Sequence, residues 1–210
     1  MTRGFQDIMC FLSGKPLDDK EKEKNGDKRK YFEDGRQWET DMCHSCCADP
    51  PKGCIACILS GTVCYHCCIC YLRHTALQGD MTKYQCCQGY ICRQCTSKCE
   101  SCEKSIPLPC LCCEALFCGC FALSATRIYI QEERGIMSDP CDNRIIRFNN
   151  FIQILACICT ILAIFFAELR EIAECINLIA DIVYIITSGC MQAQTYIELS
   201  KYPTPDSYTN

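Results

Sequence analysis

Hydrophobic and polar residues divide this chain into four stretches. Over residues 1–37 the pattern is polar. Charges alternate through Lys20-Glu21-Lys22-Glu23-Lys24, with Gly26 and Gly35 among them and little apolar content. Such a segment cannot bury enough surface to offset its ordering entropy, so a disordered charged leader is expected. Residues 38–135 alternate apolar runs with short polar breaks. The first run, 53–72, holds no formally charged residue and reaches the length of a membrane-spanning helix. Ser60, Gly61, Thr62 and His66 weaken it as a span. The competing reading is a cysteine-lined helix, or loops, at a protein core or bilayer surface. The second run, 108–130, opens between Pro107 and Pro109 and is apolar to Ala125 apart from Glu114. Gly135, following Glu132, Glu133 and Arg134, is placed to cap that helix at its C-terminus. The polar residues between the two runs read as loops.

Residues 139–199 predict a long helical hairpin. Asp139 is a good N-cap and Pro140 suits the first helical position. The helix should pass through Arg144, Arg147 and Asn150 into 151–167, which carries no charge and sits at the short limit for a span. Glu168, Arg170 and Glu171 break the pattern, and a second apolar segment covers 172–191. Within it Glu174, Asn177 and Asp181 recur at spacings of three and four, which places them on one helical face. That stripe reads as an amphipathic face toward water or a partner, as the mated face of a membrane hairpin, or as a path for cations. Residues 200–210 are polar and broken by Pro203 and Pro205, hence a disordered tail. The expected fold is mostly α: a cysteine-rich, metal-stabilised module with little regular structure, followed by a C-terminal long helical hairpin, the whole membrane-associated.

Composition changes this picture at one point. Of the 26 cysteines, 20 lie between Cys43 and Cys120. The opening residues hold no sustained apolar core and do not read as a secretory signal peptide, so the default compartment is reducing. There, Cys-x-x-Cys pairs point to metal binding or redox chemistry rather than structural disulfides. A net charge of −4 carries no general attraction for nucleic acid.

A structural zinc site wants four soft or borderline ligands, and a Cys-x-x-Cys turn supplies two with little strain. The pairs are Cys43/Cys46, Cys54/Cys57, Cys64/Cys67, Cys67/Cys70, Cys92/Cys95, Cys99/Cys102 and Cys110/Cys113. Cys92, Cys95, Cys99 and Cys102 form the sharpest quartet. The loop between its halves is tight, so each half can also join a partner elsewhere in the block. Cys43, Cys46, Cys54, Cys57, Cys64, Cys67, Cys92, Cys95, Cys99 and Cys102 are therefore the candidate ligands, with structural zinc as the expected ion. The blander reading makes many of these thiols small buried apolar groups or palmitoylation sites. Enzymatic signatures fail. Tyr65-His66-Cys67-Cys68 lacks the order of a palmitoyltransferase site, the cysteine spacings are too short for a RING domain, and no βαβ pattern frames a thioredoxin-type pair.

The segment Cys86-Cys87-Gln-Gly-Tyr-Ile-Cys92-Arg-Gln-Cys95 resembles the signature of the cornifelin / plant cadmium-resistance family, Cys-Cys, four residues, then Cys-Pro-Cys. Arg93 and Gln94 stand where that family has a single Pro, and the likeness covers the middle third of the chain. More loosely, the whole chain looks like cysteine-rich proteins of protists and plants. The resemblance implies membrane association, homo-oligomers and, in plant members, divalent-metal handling. The function expected is a non-enzymatic, membrane-associated, zinc-binding adaptor or scaffold. A divalent-metal transporter or channel-like protein is the alternative, and a thiol redox sensor the second. Expected partners are the lipid membrane and other membrane proteins or further copies of the chain, not nucleic acid. In a hairpin, Arg144, Arg147 and Lys201 share one side, which the positive-inside rule assigns to the cytosol together with the cysteine module.

Overall fold

A computed structural model describes residues 10–12, 35–48, 64–90 and 100–202. Most of the expected leader, the tail beyond Tyr202, and residues 53–63 and 91–99 lie outside that set. Helices hold 83% of the described residues and no strand occurs among them, so the fold is mostly α. The helices are α1 (Met42–Ala48), α2 (Cys64–Ala76), α3 (Glu100–Ser105), α4 (Pro107–Arg134), α5 (Pro140–Phe165) and α6 (Arg170–Lys201). Short 3-10 turns at Met81–Lys83, Cys86–Gly89 and Ala167–Leu169 link them.

The helix ends follow from local chemistry. Asp139 accepts a hydrogen bond from the Cys141 N–H at 2.6 Å, and Pro140 fills the first helical position of α5. Gly135 closes α4 in the left-handed conformation at φ 61°, its N–H donating to the Gln131 carbonyl. An L side chain is disfavoured at that φ.

One feature of α4 shapes the whole body. Cys118 leaves helical geometry (φ −133°, ψ 36°) and bends the helix into two arms. Leu111 on the first arm and Tyr129 on the second consequently share a small cluster with Leu77 and Tyr84. On a straight helix those two residues would stand ~27 Å apart. Gly119 follows the bend, packed so closely that a Cβ there would sit 2.9 Å from Tyr65 Cε1. The close approach puts Tyr65 within reach of α6, where the Tyr184 hydroxyl donates to the Tyr65 hydroxyl at 2.7 Å.

The main core unites the cysteine-bearing elements with the hairpin. Trp38, Met42, Tyr65, Ile69, Leu123, Ile146, Met191 and Leu199 belong to one buried cluster. Two polar clamps close it. Asp142 accepts from Arg127 Nη2 at 2.9 Å, from Gln194 Nε2 at 2.9 Å and from the Met42 N–H at 3.1 Å, which joins α1, α4, α5 and α6. The Arg127 guanidinium also lies over the Trp38 ring, 5.0 Å from its centroid. Glu198, fully buried, accepts from Arg134 Nη1 at 3.0 Å and pairs with Arg36.

Beyond this body α5 and α6 run on as an antiparallel hairpin. Phe151, Ile154, Ile158, Ile164, Phe165, Ile172, Leu178, Ile182 and Ile186 are all exposed on it. Gln153 and Asn177 turn inward instead. Gln153 Nε2 donates to the Ala180 carbonyl at 2.8 Å, and Asn177 Nδ2 to Thr160 Oγ1 at 2.9 Å. Apolar outside and hydrogen-bonded inside is the arrangement hydrocarbon favours, because water drives apolar surface the other way. Three helices are long and apolar enough to cross a membrane: α4, α5, and Ala167–Lys201 containing α6. Of the two expected segments, 151–167 lies in α5 as far as Phe165 and 172–191 lies wholly in α6. Helix α4 has the length of a span but is bent at Cys118. Ile158, 48% exposed halfway along the hairpin, offers a test. Ile158→Lys should move the protein from carbonate-washed membranes to the soluble fraction, since a lysine at mid-bilayer costs about 2.5–3.5 kcal/mol. Full retention of the variant would show that this face of α5 does not enter hydrocarbon.

Candidate metal centre

The bend in α4 brings a set of polar groups together against α2. Arg73 on α2 is completely buried. Its Nη2 donates to Glu114 Oε1 at 3.1 Å and to the Ala122 carbonyl at 2.9 Å, and its Nε donates to Thr126 Oγ1 at 2.8 Å. One guanidinium thus joins both arms of α4 to α2. Glu114 is equally enclosed, and its Oε2 accepts from the Tyr84 hydroxyl at 2.8 Å.

The turn after Tyr84 adds two thiols. Cys86 Sγ, Cys87 Sγ and a Glu114 carboxylate oxygen lie within 4.8 Å of one another. The backbone there is strained: Cys87 (φ 47°, ψ 26°) and Gln88 (φ 47°, ψ 30°) are both left-handed, followed by Gly89 at φ 71°. For a non-glycine residue this costs about 1–2 kcal/mol. Local bonds hold it. The Gln85 N–H donates to Gln88 Oε1 at 2.9 Å, the Tyr90 N–H donates to the Cys87 carbonyl at 3.0 Å, and the Tyr90 hydroxyl reaches Glu132 on the second arm of α4 at 2.7 Å. Strain of this kind persists where surrounding structure over-determines a position, and it concentrates at functional sites.

The thiols are electrostatically unequal. Cys86 is held below the ordinary thiol range because its sulfur accepts the Cys87 S–H, an effect that outweighs its partial burial. Cys87 is pushed far above that range by the same hydrogen bond, then by burial and the negative charge of Glu114. Tyr84 is raised by burial first and by Glu114 second, so it remains a hydroxyl donor.

Two sulfurs and a carboxylate oxygen are a donor set that suits zinc. With Zn–S bonds near 2.3 Å, a tetrahedral ion holds its sulfurs ~3.8 Å apart, a separation consistent with ligand atoms that lie within 4.8 Å of one another. Charge also balances. Two thiolates and one carboxylate beside one guanidinium leave two negative charges over, which a divalent cation cancels. The residues present therefore fit a zinc ion, with Cys86, Cys87 and Glu114 as its holders.

The ligands expected from spacing are placed differently. Cys43 and Cys46 lie on α1, where the Cys43 side chain is exposed. Cys64 and Cys67 are exposed on the first turn of α2, and Cys102 is exposed on α3. Cys54, Cys57, Cys92, Cys95 and Cys99 lie outside the described residues. On the hairpin, Glu174 is exposed, Asn177 is bonded to Thr160, and Asp181 is half-buried. Spacing alone passed over Glu114, Arg73 and the Cys86-Cys87 dipeptide. A signal existed: a lone acid inside the apolar run 108–125, and a lone arginine closing the run 53–72, are complementary charges that an apolar interior must pair.

No family model matches this chain, and no curated protein or solved structure does either.

Proposed function

We propose that this protein is a non-enzymatic, membrane-integral adaptor or scaffold whose cysteine module carries a structural zinc ion. The observation that carries the reading is the convergence of Cys86, Cys87 and Glu114 on one charge-balanced spot behind Arg73. The apolar hairpin supports the membrane half of the reading, and Arg144, Arg147 and Lys201 favour a cytosolic module by the positive-inside rule. Scaffold is favoured over cation passage by Asn177, whose side chain is engaged by Thr160 while Glu174 faces outward. Zinc in this position would tie the turn carrying Cys86 and Cys87 to the bent helix, so metal affinity would count as folding free energy.

Elemental analysis of protein purified in detergent tests this. One zinc per chain is expected, lost in Cys86→Ser and in Cys87→Ser. Protein without zinc, or zinc retained in both variants, would remove the centre from Cys86, Cys87 and Glu114.

A further inference from the structure

Six thiols outside that centre meet in three pairs, and each pair joins two different helices. Cys102 on α3 and Cys110 on α4 have their sulfurs 3.6 Å apart. Consecutive turns hold them in register, with the Ile106 N–H donating to the Cys102 carbonyl and the Cys110 N–H to the Ile106 carbonyl. Cys70 on α2 neighbours Cys112 on α4, its sulfur lying 4.0 Å from the carbonyl of the adjoining Leu111. Cys43 on α1 neighbours Cys141 at the start of α5. Their chain neighbours fix that contact, since the Met42 N–H donates to Asp142 at 3.1 Å. All six side chains are exposed or half-exposed, whereas Cys87 and Cys120 are buried.

We propose that Cys43–Cys141, Cys70–Cys112 and Cys102–Cys110 are disulfide-forming pairs, and that a peroxide converts them into three covalent staples between the helices of the body. In each pair one thiolate attacks a peroxide oxygen, the O–O bond breaks, and a sulfenic acid and water form. The partner thiol then attacks the sulfenic sulfur, the S–O bond breaks, and a second water leaves as the disulfide closes. Two thiols and one hydrogen peroxide become one disulfide and two waters. A disulfide needs its sulfurs about 2.05 Å apart, a separation that rotation of two partly exposed side chains reaches from the 3.6 Å between Cys102 and Cys110. Pairing is selective because each thiol already has its partner as a neighbour on the facing helix, so ring closure outruns encounter with a more distant thiol.

The staples are independent of the zinc reading, since none of the six thiols belongs to the Cys86, Cys87 and Glu114 group. The test treats the full-length protein in detergent with hydrogen peroxide, alkylates the remaining thiols, digests, and maps cross-linked peptides by mass spectrometry. Three cross-linked peptide pairs are expected, each lighter by two hydrogens, with Cys87 and Cys120 recovered alkylated after unfolding. Cys110→Ser and Cys112→Ser should each remove one bridge and leave the other two. Bridges scattered over Cys47, Cys64, Cys67 and Cys113, or no bridges at a peroxide concentration that fully oxidises exposed Cys175, would overturn the proposal. Zinc measured on the same sample reports the other reading separately.

Discussion

Arg73→Met is expected to lower the melting temperature of the detergent-solubilised protein by about 6–20 °C, corresponding to ~3–5 kcal/mol. Both partners of the Arg73–Glu114 pair are sealed from water, with side-chain exposures of 0% and 1%. Removing the guanidinium leaves the Glu114 carboxylate buried with only the Tyr84 hydroxyl, while the Ala122 carbonyl keeps the Thr126 hydroxyl as its donor at 2.8 Å. An uncompensated buried charge costs more than the intact pair contributes, so in chelated, zinc-free protein the double variant Arg73→Met/Glu114→Leu should regain much of what Arg73→Met loses there. Thermal melts followed by circular dichroism compare the three proteins. Equal losses in the single and double variants would mean that packing of the arginine stem, not charge, is what matters.

Asp142→Ala should cost a comparable ~3–5 kcal/mol, by a different route. Three donors from three elements converge on this carboxylate; without it the Met42 N–H loses its acceptor, and the Arg127 guanidinium loses its counter-charge and keeps the Gln194 carbonyl oxygen alone. The damage should be confined to the body. Hydrogen exchange is expected to rise sharply in α1, which Asp142 holds through the Met42 N–H, while the hairpin beyond Gln153 keeps its protection. Asp142→Asn, which keeps the shape but turns donors toward Arg127, should fall between the wild type and the alanine variant. Unchanged exchange in α1 would mean that Trp38 and Met42 anchor that segment by apolar packing alone.

The helices were largely legible in the sequence. Asp139-Pro140 fixed the start of α5, Gly135 fixed the end of α4, and the uncharged stretch 151–167 located the outer half of the hairpin. Local signals of this kind survive because caps and breakers act over a few residues. The bend at Cys118 was not legible. No proline or glycine pair marks it before Gly119, and it is defined by distant partners, namely Arg73 reaching Glu114, Ala122 and Thr126 at once. The candidate centre was illegible for the same reason. Cys-x-x-Cys spacing reports ligands brought together by one tight turn, whereas Cys86, Cys87 and Glu114 meet through packing between a strained turn and a bent helix. Likewise the stripe spacing placed Asn177 on a face of α6 but could not say that Thr160 of the opposite helix would occupy it.

The contacts of Glu198 bear on the order of assembly. It grips Arg36 and the Glu39 N–H from 162 and 159 residues away, while Ser45 is held by the Cys190 carbonyl across 145. Contacts so distant in the chain form late, because their loop-closure entropy must be met before they return any stabilisation. On a ribosome, residues 35–48 therefore wait for nearly all the later helices, and the hairpin can enter the bilayer before the body has closed. Throughout that interval Cys43 has yet to meet Cys141 and the thiols of α2 have yet to meet those of α4. A chaperone or a reducing environment would matter most to this protein during its synthesis, when its sulfurs have no fixed neighbours.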